Sequence, residues 1–287
     1  MNNEKNKVEK STLYLVATPI GNLSDISERA IKVLTEVDFI AAEDTRNSLR
    51  LLMALGIKNE LVSYHEHNKK ASGERLVARL LSGESCALIT DAGMPAISDP
   101  GEDIVRLCAD AGITVSVIPG ACAAVSALSV SGLATAKFAF EGFLSANKSE
   151  RKKRLEKLKN DDRTLIFYEA PHKLKATLSD MEEVLGKDRK ISLCREITKL
   201  NEEIKRITLG QAVEYYSQNE PRGEYVLIVE GFMGEVISDE TAELLELPPE
   251  EHVKHYESMG LSRMDAIKKA AKDRNLSKSQ LYKILNS

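Results

Sequence analysis

The amino-acid sequence predicts an α/β protein of two α/β domains, the first with a parallel sheet and the second with a mixed sheet, followed by a small helical tail. Short β-branched or aliphatic runs alternate with amphipathic stretches from Thr12 onward, which is typical of parallel sheets flanked by helices. The last three strand-like runs of the second half have only one helix among them, which favours an antiparallel pairing. Past Gly231 the composition changes to an acidic, proline-containing segment, where the core ends.

Length and composition limit the possible classes of protein. The chain has 287 residues, 43% of them hydrophobic, which suits roughly two domains of about 100 to 150 residues. Its net charge of −4 means that any contact with nucleic acid must come from local basic patches. Four cysteines without a CxxC pair argue against a zinc ribbon or a disulfide scaffold and indicate a reducing cytoplasm. No signal segment or membrane-spanning run is evident, so we expect a soluble protein.

Five segments are predicted from these changes in pattern. They are a disordered N-terminus (1–11), an N-terminal α/β domain (12–133), a C-terminal α/β domain (134–233), an acidic linker (234–251) and a basic, helix-turn-helix-like tail (252–287).

The N-terminal domain begins with a predicted strand at Leu13–Ala17 and a helix that opens at Asp25 with Glu28 as its capping-box partner. Each further strand is a short apolar run and each helix an amphipathic stretch. In order they are a strand at Val37–Ala42, helices at about Thr45–Leu55 and Lys69–Leu81, a strand at Cys86–Thr90, a helix after Pro100, a strand at Thr114–Pro119 and a helix at Ala121–Ser131.

The C-terminal domain starts near Lys137 with the strand FAFEGFL. A charged helix at Lys148–Lys159, the strand Thr164–Tyr168 and a helix after Pro171 follow, and then the strands ISLCRE, IKRITLG and EYVLIVEG. The charged helix is either a solvated face or a patch for phosphates.

The tail contains two predicted helices, one opened by Ser262 with Asp265 and one by a capping box of Ser277 and Gln280. From Leu261 onward it carries seven basic and two acidic side chains, a local net charge of +5 that predicts contact with phosphates.

The segment Thr90–Gly101, TDAGMPAISDPG, is a loop at the carboxyl end of a strand, where open α/β sheets place their ligands. Its small and turn-prone residues let a ligand approach the backbone, and Asp91 and Asp99 bring carboxylates to the same rim. Such a loop suits a small cationic ligand better than a phosphate, although alone it is also compatible with an ordinary βα turn. The segments TPIGNL, AAEDTR and VIPGACAA also follow strands, so several such loops share one rim.

Other motifs narrow the chemistry. No strand end carries GxGxxG or GxxxxGK[ST], so the glycines and the lysine that cradle phosphates are missing. In AAEDTR, Glu43, Asp44 and Arg46 form either a catalytic group or a helix N-cap with a local ion pair. His172 is either a general base or a capping or surface residue. The YHEH segment at 64–67 lacks a third ligand, so no metal site is expected, and no Ser-His-Asp or GxSxG arrangement is present.

Eight segments resemble, in this order, the ribosomal RNA small subunit methyltransferase I family: LYLVATPIGN, AAEDTR, TDAGMPAISDPG, VIPGACAAVSAL, FEGFL, FYEAPHK, CREITK and GEYVLIVEG. They cover Leu13–Gly231, and the combination is highly specific. The resemblance implies the tetrapyrrole methylase fold, in which S-adenosylmethionine binds in the cleft between two α/β domains. It also implies 2′-O-methylation of a decoding-centre cytidine in 16S ribosomal RNA, on the small ribosomal subunit, by a homodimer in the bacterial cytoplasm.

The resemblance also implies the site residues. The cofactor is expected to contact Ile20, Asp91, Ala92, Gly93, Met94, Ala121, Cys122, Ala123, Tyr168, Glu169, Gly223, Glu224 and Tyr225. Methyl transfer is an in-line displacement in which positioning supplies much of the rate, and a ribose hydroxyl is a poor nucleophile while protonated. Glu43 or Asp44 is therefore the candidate base or orienting acceptor, with Arg46 on a phosphate and no metal required.

The sequence thus predicts an S-adenosylmethionine-dependent ribosomal RNA 2′-O-methyltransferase. One alternative is a methylase of the same fold that acts on a tetrapyrrole or another small molecule. It would not need the basic tail, and the cleft loops show no paired aromatic residues to stack a flat macrocycle. The other alternative is a non-catalytic RNA-binding ribosome-assembly factor, which uses Lys148–Lys159 and the tail and would give no heat with S-adenosylmethionine.

Overall fold

The computed structural model describes residues 7–234, 244–274 and 276–286. Most of the predicted disordered N-terminus, residues 1–6, and much of the predicted acidic linker, residues 235–243, therefore lie outside the described residues. The chain divides into two compact units, Met1–Phe232 and Met233–Ser287, and the first unit contains both sheets.

The first sheet is built from five parallel strands. They are β1 (Thr12–Val16), β2 (Phe39–Ala42), β3 (Leu61–Ser63), β4 (Cys86–Ile89) and β5 (Thr114–Ile118), in the order β3-β2-β4-β1-β5. The helices of this half are α1 (Glu28–Glu36), α2 (Thr45–Ala54), α3 (Lys69–Leu81), α4 (Gly101–Asp110) and α5 (Ala123–Val130). Strands β2 and β4 are apolar and completely buried, as expected for parallel strands covered on both faces.

The second sheet is mixed, as predicted. Its strands are β6 (Phe138–Phe143), β7 (Thr164–Glu169), β8 (Lys190–Arg195), β9 (Glu203–Thr208) and β10 (Tyr225–Val229), and its helices are α6 (Lys148–Leu158), α7 (Pro171–Leu185) and α8 (Leu209–Gln218). In the order β6-β7-β10-β8-β9, β6 runs parallel to β7, while β10 is antiparallel to both of its neighbours. Tyr225 at the start of β10 therefore pairs with Glu169 and Arg195 at the ends of β7 and β8.

Helix α5 joins the two halves of the first unit. It follows the first sheet in sequence, but its buried Ala124, Ala127 and Leu128 belong to the same apolar cluster as Ile166 of β7 and Val226 of β10. The opposite face of the second sheet packs on another cluster, which includes residues of α6, α7 and α8. The second sheet is thus covered on one side by a helix from the preceding half of the chain.

Two elements of the first half differ from the sequence predictions. The sequence predicts a helix opening at Asp25, but Asp25 ends a short 3₁₀ turn and α1 begins at Glu28. Its N-cap is Ser27, whose Oγ accepts a hydrogen bond from the Ala30 backbone N–H at 3.1 Å. Strand β3 was not predicted, and its three residues are only half-buried or exposed at the edge of the sheet.

The helices of the second unit with fully described bounds are α9 (Pro249–Ser258), α10 (Arg263–Asp273) and α11 (Lys278–Leu285). Ser262 caps α10, and Ser277 with Gln280 forms the predicted capping box of α11. Helix α9 was not predicted from the sequence, and its start falls within the predicted linker. The three helices share an apolar cluster that includes Val253, Ile267 and Leu281. Among the described helices of the whole chain, none is long and apolar enough to cross a membrane.

Candidate active site

A cavity of about 360 Å³ lies in the first unit, between the two sheets. The residues around it follow the carboxyl ends of β1, β2, β4 and β5 in the first sheet. Those of the second sheet lie at or near the ends of β6, β7 and β8 and at the start of the antiparallel β10. Small-molecule sites commonly measure about 300 to 1,000 Å³, so the predicted ligand cleft between the two halves has a suitable size.

The first sheet contributes the wall made by the β1, β2, β4 and β5 loops. Thr18 and Gly93 exchange two backbone hydrogen bonds, of 2.9 and 3.1 Å, so the β1 loop and the β4 loop are fixed to each other. Gly93 has φ of +84°, and a Cβ there would lie 3.2 Å from Ile20 Cγ2. The lining residues from this half are Ile20, Glu43, Thr90, Asp91, Ala92, Gly93, Met94, Ile97, Ser98, Asp99, Cys122 and Ala123.

Asp99 shapes the end of the β4 loop. Its Oδ1 accepts hydrogen bonds from the backbone N–H groups of Ala96, at 3.0 Å, and Gly101, at 2.7 Å. Ala96 and Ser98 both have φ of +66°, a conformation that costs an L-residue energy unless its surroundings impose it. The other oxygen, Oδ2, is buried and accepts no hydrogen bond from the described part of the chain. Asp99 therefore holds a strained loop through one oxygen, while its other oxygen stays buried without a partner among the described residues.

Of the three predicted catalytic residues, Glu43 lines the cavity, where its Oε2 accepts a hydrogen bond from Thr90 Oγ1 at 3.0 Å. Asp44 is instead the N-cap of α2, and Arg46 Nη2 donates to its Oδ2 at 2.9 Å. The hydrogen bonds from the Arg46 side chain and backbone lower the pKa of Asp44 to about 2. Neither Asp44 nor Arg46 is among the lining residues, and the Arg46 side chain is 85% exposed. A catalytic role for these two residues stays a prediction.

The second sheet contributes a partly aromatic wall. The sequence predicts no paired aromatic residues in the cleft loops to stack a flat macrocycle. The strands nevertheless bring Phe143 and Tyr168 to the cavity, where their ring centroids are 5.5 Å apart and their planes are inclined by 62°. Burial raises the pKa of Tyr168 to about 12, so its phenol is neutral at physiological pH. The lining residues from this half are Phe143, Tyr168, Glu169, Ala170, Cys194, Glu196, Ile197, Lys199, Glu224, Tyr225 and Val226.

Glu169 is built into this wall. The residue is only 2% exposed, and both carboxylate oxygens accept hydrogen bonds, Oε1 from the Ala170 backbone N–H at 2.9 Å and Oε2 from Thr177 Oγ1 at 2.5 Å. A buried carboxylate that accepts such bonds is held in one orientation.

A network of three charged residues, Glu196, Lys199 and Glu224, lines one side of the cavity. Lys199 Nζ donates to Glu196 Oε1 at 2.8 Å and to Glu224 Oε2 at 2.7 Å, and the Glu224 backbone N–H donates to Glu196 Oε1 at 2.9 Å. The hydrogen bonds from Lys199 and from the Glu224 backbone lower the pKa of Glu196. Gly223, with φ of +76°, makes room for this network, since a Cβ there would lie 2.5 Å from Glu196 Cγ.

The structure brings together eleven of the thirteen residues that the resemblance assigns to the cofactor. Ala121 and Gly223 are not among the lining residues, although each precedes one that is. Several lining residues were not predicted from the sequence, among them Phe143, Ile97, Cys194, Ile197, Lys199 and Val226. Phe143 lies in FEGFL and Lys199 in CREITK, two segments that carried the resemblance, so their position near strand ends was the available signal.

The histidines considered as a general base or as metal ligands do not line the cavity. His172 is exposed in the first turn of α7, and neither His65 nor His67 lines the cavity. Within 7–234, 244–274 and 276–286, no group of three His, Cys, Asp or Glu side chains is arranged to hold a metal ion.

The cavity has a strongly acidic lining, with six carboxylates and one ammonium group among the lining side chains. Such a surface attracts a small cation and repels an anion. Small residues at Ala92, Gly93 and Ala123 let a ligand approach the backbone, while Tyr168 and Phe143 offer aromatic surface. The arrangement thus suits a cationic ligand that carries a flat ring.

Comparison with known proteins points to one group of enzymes. The family Tetrapyrrole (Corrin/Porphyrin) Methylases matches residues 12–213. The ribosomal RNA small subunit methyltransferase I of Halalkalibacterium halodurans is 51% identical over 276 residues, covering 96% of this chain and 95% of that protein. The protein of the same name from Bacillus subtilis is 49% identical over 276 residues, with 96% and 94% covered.

Solved structures are similar in fold. Diphthine synthase has a TM-score of 0.58 at 14% identity, covering 76% of this chain and 90% of that one. The uroporphyrin-III C-methyltransferase of Thermus thermophilus, in complex with S-adenosylhomocysteine, has a TM-score of 0.55 at 17% identity, covering 76% and 97%. At these identities the similarity establishes the two-sheet architecture.

Proposed function

The chain belongs to the ribosomal RNA small subunit methyltransferase I family of the tetrapyrrole methylases, and we propose that it methylates 16S ribosomal RNA with S-adenosylmethionine as methyl donor. The acceptor atom in this proposal is the ribose 2′-oxygen of a decoding-centre cytidine. The observation that carries the proposal is the acidic cavity between the two sheets, which is lined by eleven of the residues expected at the cofactor.

The lining residues fit this cofactor. S-adenosylmethionine supplies an electrophilic methyl group on a positively charged sulfonium, and a lining with six carboxylates favours a cation. Asp91 stands at the start of the β4 loop, and its Oδ2 accepts a hydrogen bond from Asn47 Nδ2 at 3.2 Å, which orients the carboxylate. The small residues Ala92, Gly93 and Ala123 would hold the cofactor by close backbone approach, and Asp99 Oδ2 would accept a hydrogen bond from one of its donors.

Glu43 is the residue that we propose to act on the ribose hydroxyl. Its carboxylate reaches the cavity, and Thr90 Oγ1 orients it through Oε2. A carboxylate within hydrogen-bond distance of a hydroxyl orients the oxygen and accepts its proton as the new carbon–oxygen bond forms. Asp44 is less suited to this role because its carboxylate is engaged by Arg46 and caps α2.

The RNA partner in this proposal is the small ribosomal subunit or its 16S RNA, and we place the enzyme, as a homodimer, in the cytoplasm where that substrate is found. In this proposal, residues 12–133 and 134–233 form the two α/β domains and residues 252–287 form an RNA-binding tail. The basic excess of the tail supports the last assignment, because Lys268, Lys278 and Lys283 are exposed on α10 and α11. Tail and cavity would then contact different parts of one large substrate.

In the test, the protein is incubated with labelled S-adenosylmethionine and small ribosomal subunits. A parallel reaction uses subunits that carry a 2′-deoxycytidine at the modified position. Nucleoside mass spectrometry should find the methyl group on a ribose in the first substrate and none at that position in the second, because only RNA has the hydroxyl. Transfer that persists on the deoxy substrate would indicate base methylation. Transfer to a porphyrin but not to RNA would support the small-molecule alternative, and no heat with the cofactor would support a non-catalytic assembly factor.

A further inference from the structure

We propose that Lys199 binds a phosphodiester group of the RNA at the mouth of the cavity, an inference that rests on the proposed function. Lys199 is the one cationic side chain among the described residues that line the cavity, beside six carboxylates. A ribose that enters this cavity brings its own phosphates to the entrance, where the acidic lining repels them. A positive group at the entrance is therefore needed to bring the hydroxyl within reach.

Loops from both sheets fix the position of Lys199. It lies just after β8, and its stem packs against Gly21 in the β1 loop, where an added Cβ would lie 2.3 Å from Lys199 Cγ. The backbone between the end of β8 and Lys199 is unusual, since Glu196 and Thr198 have φ of +52° and +66°. For a β-branched residue such as Thr198 this conformation is costly, and such strain collects at functional sites. The structure thus maintains a costly turn that presents one ammonium group.

The two ion pairs of Lys199 are unequal. The Glu196 side chain is 18% exposed and is also held by the Glu224 backbone N–H at 2.9 Å. The Glu224 side chain is 81% exposed, so water and salt weaken its attraction to Lys199. A phosphate can replace the Glu224 carboxylate as the second anion while Glu196 continues to hold the ammonium in place. The Glu224 carboxylate therefore occupies the position beside Lys199 that a phosphate can take.

The carboxylate of the cofactor is the other anion that could reach this ammonium. The position of Lys199 favours the phosphate, because its side chain is 30% exposed and its partner Glu224 faces solvent. A group at the rim meets the large substrate, whereas the cofactor is expected along the β4 loop and at Cys122 and Ala123. The two assignments differ in which affinity depends on Lys199.

The experiment compares K199M and K199R with K190M. Lys190 is a matched control because it lies at the opposite end of β8, pairs with Glu230 at 3.0 Å and does not line the cavity. Cofactor affinity is measured by calorimetry, and filter binding and initial rates with small subunits are measured at several salt concentrations.

We expect K199M to leave cofactor affinity unchanged and to raise KM for the subunit about tenfold. The slope of log affinity against log salt should become shallower by about 0.7 to 0.9, the effect of one lost phosphate contact. K199R should keep the slope because it keeps the charge, and K190M should match the unaltered protein in every measurement.

A folded K199M with unchanged KM and salt slope would overturn the inference, and so would a loss of cofactor affinity, which would assign Lys199 to the cofactor carboxylate. If K199M does not fold, the E224Q variant tests the proposal instead. Removing the competing carboxylate should strengthen RNA binding, and any other result contradicts the exchange of Glu224 for a phosphate. Failure of the unaltered protein to methylate RNA would instead refute the proposed function, while filter binding would still report on the contact of Lys199 with phosphate.

Discussion

Replacing Gly223 with alanine should destabilise the first unit through two separable effects. The first is conformational, since φ of +76° costs an L-residue about 1 to 2 kcal/mol. The second is displacement of Glu196, whose Cγ would lie 2.5 Å from the new Cβ. The displaced carboxylate loses its bonds to Lys199 Nζ and to the Glu224 backbone N–H, which contribute about 1.5 to 3 kcal/mol as hydrogen bonds to a charged group. Together, G223A should lower the free energy of unfolding by about 2.5 to 5 kcal/mol.

The matched control is G112A. Gly112 has a similar φ of +68°, but nothing lies within 4 Å of a Cβ at that position, so this variant reports the conformational cost alone. Urea denaturation should show G223A to be about 1.5 to 3 kcal/mol less stable than G112A at neutral pH. Equal stabilities of the two variants would refute the argument, because the displacement of Glu196 would then cost nothing.

The contribution of Glu196 to the free energy of unfolding should depend on pH. The lowered pKa of Glu196 in the folded protein means that this carboxylate stabilises the fold above its ordinary pKa of 4.5. That stabilisation disappears as the pH falls through the folded pKa. The difference in stability between G223A and G112A should therefore shrink below about pH 4, and a difference independent of pH would contradict the assignment to Glu196.

Three further predictions concern the cofactor, the tail and the core. D91A should weaken S-adenosylmethionine binding by about 1.5 to 3 kcal/mol in calorimetry without unfolding the protein, and unchanged affinity would remove Asp91 from the site. Neutralising three exposed lysines of α10 and α11, Lys268, Lys278 and Lys283, should leave cofactor affinity unchanged. The slope of log affinity for RNA against log salt should become shallower by about 2 to 3, and an unchanged slope would give the tail another role. D180A should lower the free energy of unfolding by about 3 to 5 kcal/mol in urea, because Asp180 is 4% exposed and pairs with the buried Arg151. E183A, which breaks the exposed pair with Lys152, should cost less than about 1 kcal/mol, and equal losses would show that burial does not set the cost.

The first half of the molecule was largely predictable from its sequence because every strand of its sheet runs in the same direction. The carboxyl ends of such strands meet at one edge, so loops flagged separately, such as those with Ile20, Asp91 and Cys122, had to lie together. Helix α3 matches its predicted bounds, Lys69–Leu81, and its buried Leu76 and Leu80 show the i, i+4 spacing of a helix. Strand β3 has only three residues at a half-exposed edge and shows too little pattern.

The second half was less predictable because strand direction changes there. Lys199 lies between two antiparallel strands, β8 and β9, and the sequence does not specify which end of that hairpin faces the cleft. Helix α9 was missed for a different reason. Pro249 at its first position and Glu250 and Glu251 in its first turn are favourable at a helix start, but the same residues make the segment look like an acidic linker.

The position of β10 has a consequence for how the chain folds during synthesis. This strand is the last of the ten described strands in sequence, yet it lies in the middle of its sheet, between β7 and β8. Until the ribosome has released Val229, both of those strands present unpaired backbone edges, which are prone to pair with other chains. The cleft lacks Glu224 and Tyr225 over the same interval, so a nascent chain cannot bind its cofactor in the complete site before the second sheet is finished.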